Sequence, residues 1–263
     1  MSGFDWLVCP HCREPLVVGG RTAGCPTGHR FDLARQGYLN LMGRAPGANA
    51  DSARMLAQRD AFLSAGHYQP IVDAIIGAVG TPARVLEVGA GTGHYLAAVL
   101  DALPGAEGLG LDVSPAAARR LARVHPRMRA IVADAWQPLP LADGCVEVVL
   151  SVFAPRNPSE FARVLGPSGT LVTVTPGPGH LVEARQRFGL IGVQDDKSDR
   201  LAEGLAGHFT PVSTTRVRFV LDLSAEAAEA LVGMGPNALH EHAAVEALRV
   251  TVEVQASTWR VLA

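Results

Sequence analysis

The chain has 263 residues, of which 48% are hydrophobic, and its formal net charge at pH 7 is -2. This length accommodates one large domain, or a large and a small one, around a sizeable core. The near-neutral charge excludes a whole-chain cationic field, so any nucleic-acid contact requires a local basic patch. The first residues lack a basic start and an apolar stretch, and no run of about eighteen apolar residues occurs. We therefore expect no signal peptide, no membrane span and a cytoplasmic location.

The first unit, residues 1–36, contains a cysteine cluster with the spacing C-x2-C-x12-C-x3-H, and its members are Cys9, Cys12, Cys25 and His29. Three thiolates and one imidazole are a ligand set that tetrahedral zinc prefers. A redox pair is the alternative, but no βαβ pattern surrounds the first two cysteines. His11 lies inside the first knuckle and is less well placed as a ligand. Together with a hairpin around Gly19-Gly20, the cluster predicts a zinc ribbon whose four-ligand ion is structural.

Residues 37–82 predict a linker followed by two helices. The stretch GRAPGANADS is rich in Gly, Ala and Pro and indicates a loop. Asp51 or Ser52 is positioned to cap a helix through ARMLAQRDAFLSAG. The apolar face of that helix consists of Met55, Leu56, Phe62 and Leu63. A second short helix is predicted in HYQPIVDAIIGAVG.

Residues 83–263 alternate between strands and helices. The strands RVLEV, GLGLDV, MRAIVADA, VEVVLSVF and TLVTVTP are almost continuously apolar, which indicates a parallel, doubly wound α/β sheet. Two longer strands, TTRVRFVLDL and RVTVEVQASTWRVL, flank a helix near the end. A sheet that finishes in this way resembles the class I (Rossmann-like) methyltransferase fold. Cys145 borders the fourth strand, and we expect it to be an inert core residue.

The first strand ends in the turn Glu87-Val88-Gly89-Ala90-Gly91-Thr92-Gly93, followed by His94. Glycines here allow a sharp turn and a close approach of a ligand to the backbone. The spacing differs from the dinucleotide pattern G-x-G-x-x-G, which leaves a nicotinamide cofactor as the weaker alternative. The turn resembles the E/D-x-G-x-G-x-G signature of S-adenosylmethionine enzymes, which implies that Glu87 lies near the methionine amino group.

Two further carboxylates follow successive strands. Asp112 closes the second strand, where a carboxylate accepts hydrogen bonds from ribose hydroxyls. Asp134 follows the third strand, where the methyltransferase pattern implies a contact to the adenine amino group. No P-loop Gly-Lys-Ser sequence is present, which argues against triphosphate chemistry.

A longer series of motifs carries a closer resemblance. The cysteine ribbon is followed by FDLARQGYLNL, DSARMLAQRDAFLSAGHYQP, VLEVGAGTGHY and TPGPGHL. From Cys9 to at least His180, this order resembles the guanine-N1 23S rRNA methyltransferases. The resemblance implies methyl transfer to N1 of a guanine in hairpin 35 of 23S rRNA by a homodimer. Lys197 is the single lysine among 23 basic residues, a composition that favours the Gram-positive subtype, which includes tylosin-resistance enzymes.

The same resemblance implies cofactor contacts at Tyr68 and His180, and at the turn residues Thr92, Gly93 and His94. From the residues alone, we would interpret Tyr68 as a packing residue at a helix end and His180 as a helix N-cap, and only the resemblance favours cofactor contacts. Gly179 departs from the family, which often has a basic residue before the histidine, so the RNA or cofactor contact of that basic residue is not expected here.

The loop SVFAPRNPSE follows the fourth strand, where this fold places the target base. Phe153 is either a stacking residue for guanine or part of the core. Asn157 and Glu160 either reach the base edge or cap the next helix, and no general base is assigned. Phosphate contacts are expected from arginines in and near the ribbon, although a solvated surface is the alternative: Arg13, Arg21, Arg30, Arg35, Arg44, Arg54 and Arg59.

Two other functions use the same motifs. A small-molecule methyltransferase shares the cofactor domain but seldom needs an N-terminal zinc unit. A zinc-containing RNA-binding protein without catalysis has no need of the intact carboxylates and glycines. Methylation of 23S rRNA is therefore the function that the sequence favours.

Overall fold

The computed structural model describes residues 4–43, 45, 47, 50–189, 197–235 and 245–262. Near the amino terminus, three short strands form an antiparallel sheet: β1 (Val17–Gly19), β2 (Thr22–Gly24) and β3 (Arg30–Asp32). The first two strands form the predicted hairpin. Gly20 turns the chain with a φ of 63°, a conformation that glycine adopts without a steric penalty.

The larger sheet has eight strands, which are β4 (Tyr38–Asn40), β5 (Arg84–Val88), β6 (Glu107–Asp112), β7 (Met128–Val132), β8 (Val148–Val152), β9 (Thr170–Pro176), β10 (Phe209–Leu223) and β11 (Leu248–Val261). Across the sheet their order is β10-β11-β9-β8-β5-β6-β7-β4. The six strands from β4 to β9 pair with one another in parallel. By contrast, β11 is antiparallel to both β9 and β10. The predicted class I methyltransferase fold is therefore confirmed, including its final pair of long strands.

The helices are α1 (Ala53–Ser64), α2 (Gln69–Val79), α3 (His94–Ala102), α4 (Pro115–Val124), α5 (Pro158–Leu165), α6 (Val182–Phe188), α7 (Lys197–Leu205) and α8 (Ala225–Gly233). In the described part of the chain, no helix combines the length and apolar character that crossing a membrane requires. Ser52 caps α1 by accepting a hydrogen bond from the Met55 backbone N–H at 3.2 Å. The predicted apolar residues of α1 are all buried: Met55, Leu56, Phe62 and Leu63.

The segment between the ribbon and the first predicted strand is more than a linker. Tyr38–Asn40 forms the edge strand β4, which pairs in parallel with β7. Sequence reasoning missed this strand because three residues are too few to show a strand pattern. The ribbon also shares a buried core with the larger sheet, since Trp6 and Leu7 belong to the same apolar cluster as Leu86. The boundaries 1–36, 37–82 and 83–263 stay a prediction about domains.

The parallel strands place the predicted cofactor residues together. The helices α3 and α4 begin directly after the turns that follow β5 and β6. The carboxyl ends of parallel strands meet at one edge of a sheet, which is where α/β folds bind ligands. Glu87, Asp112 and Asp134 all lie at this edge.

Candidate active site and metal cage

The structure brings the four predicted metal ligands together, with all ligand atoms within 4.8 Å of one another. The Sγ atoms of Cys12 and Cys25 are 3.6 Å apart, and the Nδ1 atom of His29 lies 3.5 Å and 3.4 Å from the Sγ atoms of Cys9 and Cys25. Tetrahedral zinc requires separations of about 3.5 Å between sulfur and nitrogen ligands and about 3.8 Å between two sulfur ligands, given zinc–ligand bonds of about 2.0–2.3 Å. The cage therefore fits zinc, and its four protein ligands leave no position for a substrate.

A hydroxyl supports the cage. The Oγ1 atom of Thr27 lies 3.0 Å from the Sγ atoms of both Cys12 and Cys25. Burial opposes ionisation of Cys25, but contacts with Thr27, His29 and Cys12 outweigh it and lower the pKa of its thiol to about 6. A thiolate is the form that binds zinc. By contrast, burial raises the pKa of the Cys145 thiol to about 11. Cys145 is half-buried beside the core rather than within it.

The ribbon arginines differ in what they contact. The guanidinium of Arg13 donates to the backbone carbonyls of Leu139 and Leu141 at 2.8 Å and 3.0 Å, and lies 3.5 Å from Asp143. Arg13 therefore joins the ribbon to the larger sheet. Several other predicted phosphate contacts are exposed, namely Arg21, Arg30, Arg35 and Arg54. Arg44 lies outside the described residues.

Glu87 is 1% exposed at the end of β5. Its Oε2 atom accepts a hydrogen bond of 3.2 Å from the backbone N–H of Leu96 in α3. Burial, reinforced by the charge of Asp112, raises its pKa to about 8 despite that hydrogen bond. A buried carboxylate with one hydrogen bond retains capacity for a cationic partner such as an ammonium group.

The three glycines of the turn all adopt positive φ, but each lies against a different neighbour. A Cβ at Gly89 would lie 2.7 Å from the Cβ of Ala154, and one at Gly91 would lie 2.7 Å from Nη1 of Arg59. A Cβ at Gly93 would meet core side chains of α4 and β7, so packing explains that glycine. Thr92 is buried, and burial lowers the pKa of the half-buried His94. The turn therefore requires glycine at all three positions, because neighbouring side chains approach its backbone closely.

Asp112 is buried and already holds the turn in place. Its Oδ2 atom accepts from the Gly91 N–H at 2.9 Å, and its Oδ1 atom accepts from the Ser114 N–H at 2.8 Å. Each carboxylate oxygen accepts more than one hydrogen bond, so capacity for two ribose hydroxyls remains. Asp134 is half-buried, and its Oδ1 atom accepts from the N–H of Trp136 at 3.0 Å. The Trp136 side chain is 65% exposed and was not singled out from the sequence.

Tyr68 and His180 approach each other, with ring centroids 6.4 Å apart. Tyr68 is 2% exposed, and its buried hydroxyl has no hydrogen-bond partner among the described residues. Packing alone does not explain a hydroxyl there, because an unpaired buried hydroxyl costs about 1–3 kcal/mol. His180 is not the N-cap of α6, a position that Leu181 occupies. Its Nδ1 atom instead accepts from the backbone N–H of Glu253 at 3.3 Å.

Arg59, which the sequence predicts as a phosphate contact, lies against the glycine turn. Its guanidinium lies against Gly91, forms an ion pair with Asp51 and donates to the Met234 carbonyl at 2.7 Å. The other charged residues beside the glycine turn include the carboxylates Glu87 and Asp112, and we refer to this part of the protein as the cofactor region. Only the position of α1 across the turn reveals that Arg59 belongs to this region.

The structure decides between the predicted alternatives for three residues that follow β8, namely Phe153, Asn157 and Glu160. Phe153 is 42% exposed, adopts a φ of 53° and stacks on His180 with ring centroids 5.8 Å apart. It is therefore not a core residue. Glu160 accepts from the Leu139 N–H and from Arg163, both at 2.6 Å, which makes it structural. Asn157 is the N-cap residue of α5, but its side chain donates to the Ala135 carbonyl at 3.1 Å instead of capping.

Fold and site together define an S-adenosylmethionine-dependent methyltransferase with an N-terminal zinc ribbon. Residues 85–169 match the family described as "Methyltransferase domain", and residues 7–44 match "RlmA, N-terminal", a zinc ribbon. A chain from the complex between the "Haloferax volcanii Trm112 methyltransferase activator and the putative methyltransferase" shares the fold, with a TM-score of 0.55 and 19% identity, over 82% of this chain and 100% of that chain.

The chain belongs to the 23S rRNA (guanine-N1)-methyltransferase family. It is 48% identical to the 23S rRNA (guanine(748)-N(1))-methyltransferase of Streptomyces fradiae, over 90% of this chain and 86% of that protein. It is 47% identical to a putative 23S rRNA (guanine-N(1)-)-methyltransferase of Micromonospora griseorubida, over 95% of this chain and 91% of that protein. These relatives favour the actinobacterial, Gram-positive subtype.

Proposed function

We propose that this chain methylates N1 of guanine 748, in hairpin 35 of 23S rRNA, in the cytoplasm. The observation that carries the proposal is the 48% identity, across ribbon and catalytic domain together, to a relative named for that nucleotide. In this proposal the modification confers resistance to tylosin-type macrolides. A small-molecule methyltransferase would lack a reason to keep the complete zinc ribbon.

The cofactor residues have defined roles in this proposal. Glu87 faces the ammonium group, Asp112 the ribose and Asp134 the adenine. Arg59 faces the carboxylate of the methionine part, because the guanidinium lies against the turn where that part binds. Tyr68 supplies its unpartnered hydroxyl, and the remaining contacts come from the glycine turn and from His180. When bound, S-adenosylmethionine supplies an activated methyl group on a sulfonium.

The protein's own contribution to methyl transfer is mainly positional. The stacked rings of Phe153 and His180 form a platform beside Tyr68, and an extruded guanine stacks on it. Stacking would hold the guanine in one orientation beside the methyl group that bound S-adenosylmethionine would supply, which would lower the entropic part of the barrier. Phe153 directly follows β8 and adopts a positive φ, which costs about 1–2 kcal/mol, and its ring stacks on that of His180.

RNA contacts are proposed for the exposed ribbon arginines, Arg21, Arg30 and Arg35. Their charges suit phosphates that flank the hairpin loop, while zinc maintains the shape of the ribbon. In a homodimer, the two ribbons together form the RNA cleft. Sedimentation of the purified protein tests the dimer.

The test of function is methylation of a 23S hairpin 35 transcript by the zinc-loaded protein with labelled S-adenosylmethionine. N1 methylation blocks base pairing, so reverse transcription should stop at a single guanine, equivalent to position 748. Expression in a susceptible host should then raise the tylosin concentration that inhibits growth. Cofactor binding without label in hairpin or ribosomal RNA would sink the proposal and favour a small-molecule substrate.

A further inference from the structure

Arg156 lies at the centre of the loop 153–157, between two anchored neighbours. On one side, Pro155 packs on the glycine turn, with its Cδ 3.6 Å from the Cβ position of Gly89. On the other side, the Asn157 side chain donates to the Ala135 carbonyl, one residue beyond Asp134. The loop therefore runs between the glycine turn and the end of β7, and Arg156 lies in it three residues after Phe153.

The guanidinium of Arg156 is partly buried and has an unmet hydrogen-bonding capacity. Its Nη1 atom is buried and has no hydrogen-bond partner among the described residues. Burial alone lowers its pKa, and no described carboxylate offsets this effect. A buried guanidinium nitrogen without an acceptor is costly, whereas the guanidinium groups of Arg13, Arg59 and Arg163 each contact carbonyls or carboxylates. A bound ligand that offers a hydrogen-bond acceptor to Nη1 of Arg156 explains why this nitrogen is buried without a partner in the protein.

Guanine supplies such an acceptor in the form that reacts. N1 of neutral guanine carries a proton, and its removal leaves a negative charge shared between N1 and O6. We propose that Arg156 is a catalytic residue that donates a hydrogen bond to O6 of the target guanine and stabilises the N1-deprotonated base. This inference rests on the proposed function.

The atoms and electrons balance without a further reagent. The N1 proton passes to water, and the electron pair left on N1 forms the bond to the methyl carbon. The carbon–sulfur bond breaks with its electrons remaining on sulfur, which becomes neutral. Arg156 stays protonated throughout, and its hydrogen bond to O6 is strongest while the base is an anion. The protein therefore promotes deprotonation electrostatically, with water as the proton acceptor.

The test compares Arg156→Gln and Arg156→Lys with the unmodified protein in methylation of the hairpin transcript, from neutral to alkaline pH. Arg260→Gln is the matched control, because Arg260 contacts the Ser168 carbonyl at the opposite edge of the sheet. We expect Arg156→Gln to lower kcat about 100-fold at neutral pH, with partial recovery at alkaline pH, where solvent removes the proton more readily. Arg156→Lys should retain part of the activity, since it keeps the charge.

Equilibrium binding separates this role from others. Affinities for the hairpin and for S-adenosylmethionine should stay within about threefold in both variants. A raised KM for RNA with an unchanged pH profile would identify a phosphate contact and overturn the inference. A lowered melting temperature with no recovery in Arg156→Lys would overturn it in favour of a structural role. If the unmodified protein leaves the hairpin unmethylated, the proposed function and this inference fall together.

Discussion

The guanidinium of Arg59 lies directly against Gly91, with Nη1 2.7 Å from the position that a Cβ on residue 91 would occupy. This contact brings a cation to the backbone of a turn whose other charged neighbours include Glu87 and Asp112. The same guanidinium pairs with Asp51, just before α1, so the residues after the linker are tied to the cofactor region.

Arg59→Met should abolish the preference of the protein for a cofactor with a carboxylate. We expect the unmodified protein to bind S-adenosylmethionine about 10-fold or more tightly than its decarboxylated form, since hydrogen bonds to charged groups contribute about 1.5–3 kcal/mol. In Arg59→Met the two affinities should become similar, as measured by titration calorimetry. Arg123→Met, on the exposed face of α4, should keep the preference. A preference that persists in Arg59→Met would assign the carboxylate to another residue.

Cofactor binding should release a proton from Glu87 below pH 8. Burial raises the pKa of the folded protein's Glu87 from 4.5 to about 8, while the ammonium group of the cofactor favours the ionised form. Affinity should therefore rise with pH up to about 8. Calorimetry in buffers of different ionisation enthalpy measures the released proton. Glu87→Gln should bind more weakly without proton release, whereas Glu107→Gln, at the start of β6, should behave like the unmodified protein.

The same pKa has a consequence for stability. The contribution of protonated Glu87 to the free energy of unfolding is fully present below pH 4.5 and is lost as the pH rises through about 8. In that interval Glu87 is ionised in the unfolded chain but still protonated in the folded protein. The free energy of unfolding of the cofactor-free protein should fall over this range by less in Glu87→Gln than in the unmodified protein. Equal pH dependence in urea denaturation would show that Glu87 ionises normally.

Removal of zinc should separate RNA methylation from cofactor binding. We expect one zinc per chain, and loss of the metal by chelation or by Cys25→Ser should lower the melting temperature and abolish methylation of the hairpin. Affinity for S-adenosylmethionine should change by no more than about threefold, because all the proposed cofactor residues lie outside residues 1–36. Cys145→Ser makes the same chemical change away from the cage and should retain zinc. Loss of cofactor binding on chelation would make the ribbon part of the catalytic fold.

Substitution of Arg13 should lower the stability of the protein, whereas substitution of Arg21 should weaken its binding to RNA. Arg13→Gln removes two hydrogen bonds between the ribbon and residues 139–141, so we expect a loss of about 1–2 kcal/mol in the free energy of unfolding. Arg21 is exposed, so Arg21→Gln should leave stability nearly unchanged. It should instead weaken RNA binding and reduce the salt dependence of the binding constant by about one phosphate contact. Denaturation measures the stability of both variants, and filter binding over a range of salt concentrations measures their RNA affinity. A stable Arg13→Gln with weakened RNA binding, or a destabilised Arg21→Gln, would contradict the two assignments.

Much of this protein follows from local sequence. The spacing of Cys9, Cys12, Cys25 and His29 defines a cage because short knuckles fix their ligands locally. Ser52 caps α1 because its hydroxyl reaches an N–H three residues away. The glycine turn and the alternation of apolar strands with helices predict the sheet and its ligand-binding edge, since both depend on neighbouring residues.

The tertiary structure alone decides which side chains are held by contacts within the protein and which are exposed to a ligand. Arg13 and Arg59 have the same chemistry as Arg21, yet contacts with residues more than 100 positions away in the chain bind the first two to the protein. Glu160 likewise is held by Leu139, whereas Phe153 is turned out of the core onto His180. Such contacts depend on how distant segments pack, and no local pattern encodes them. The sequence by itself therefore determined the fold, the metal cage and the class of reaction, while packing decided the roles of individual charged and aromatic residues.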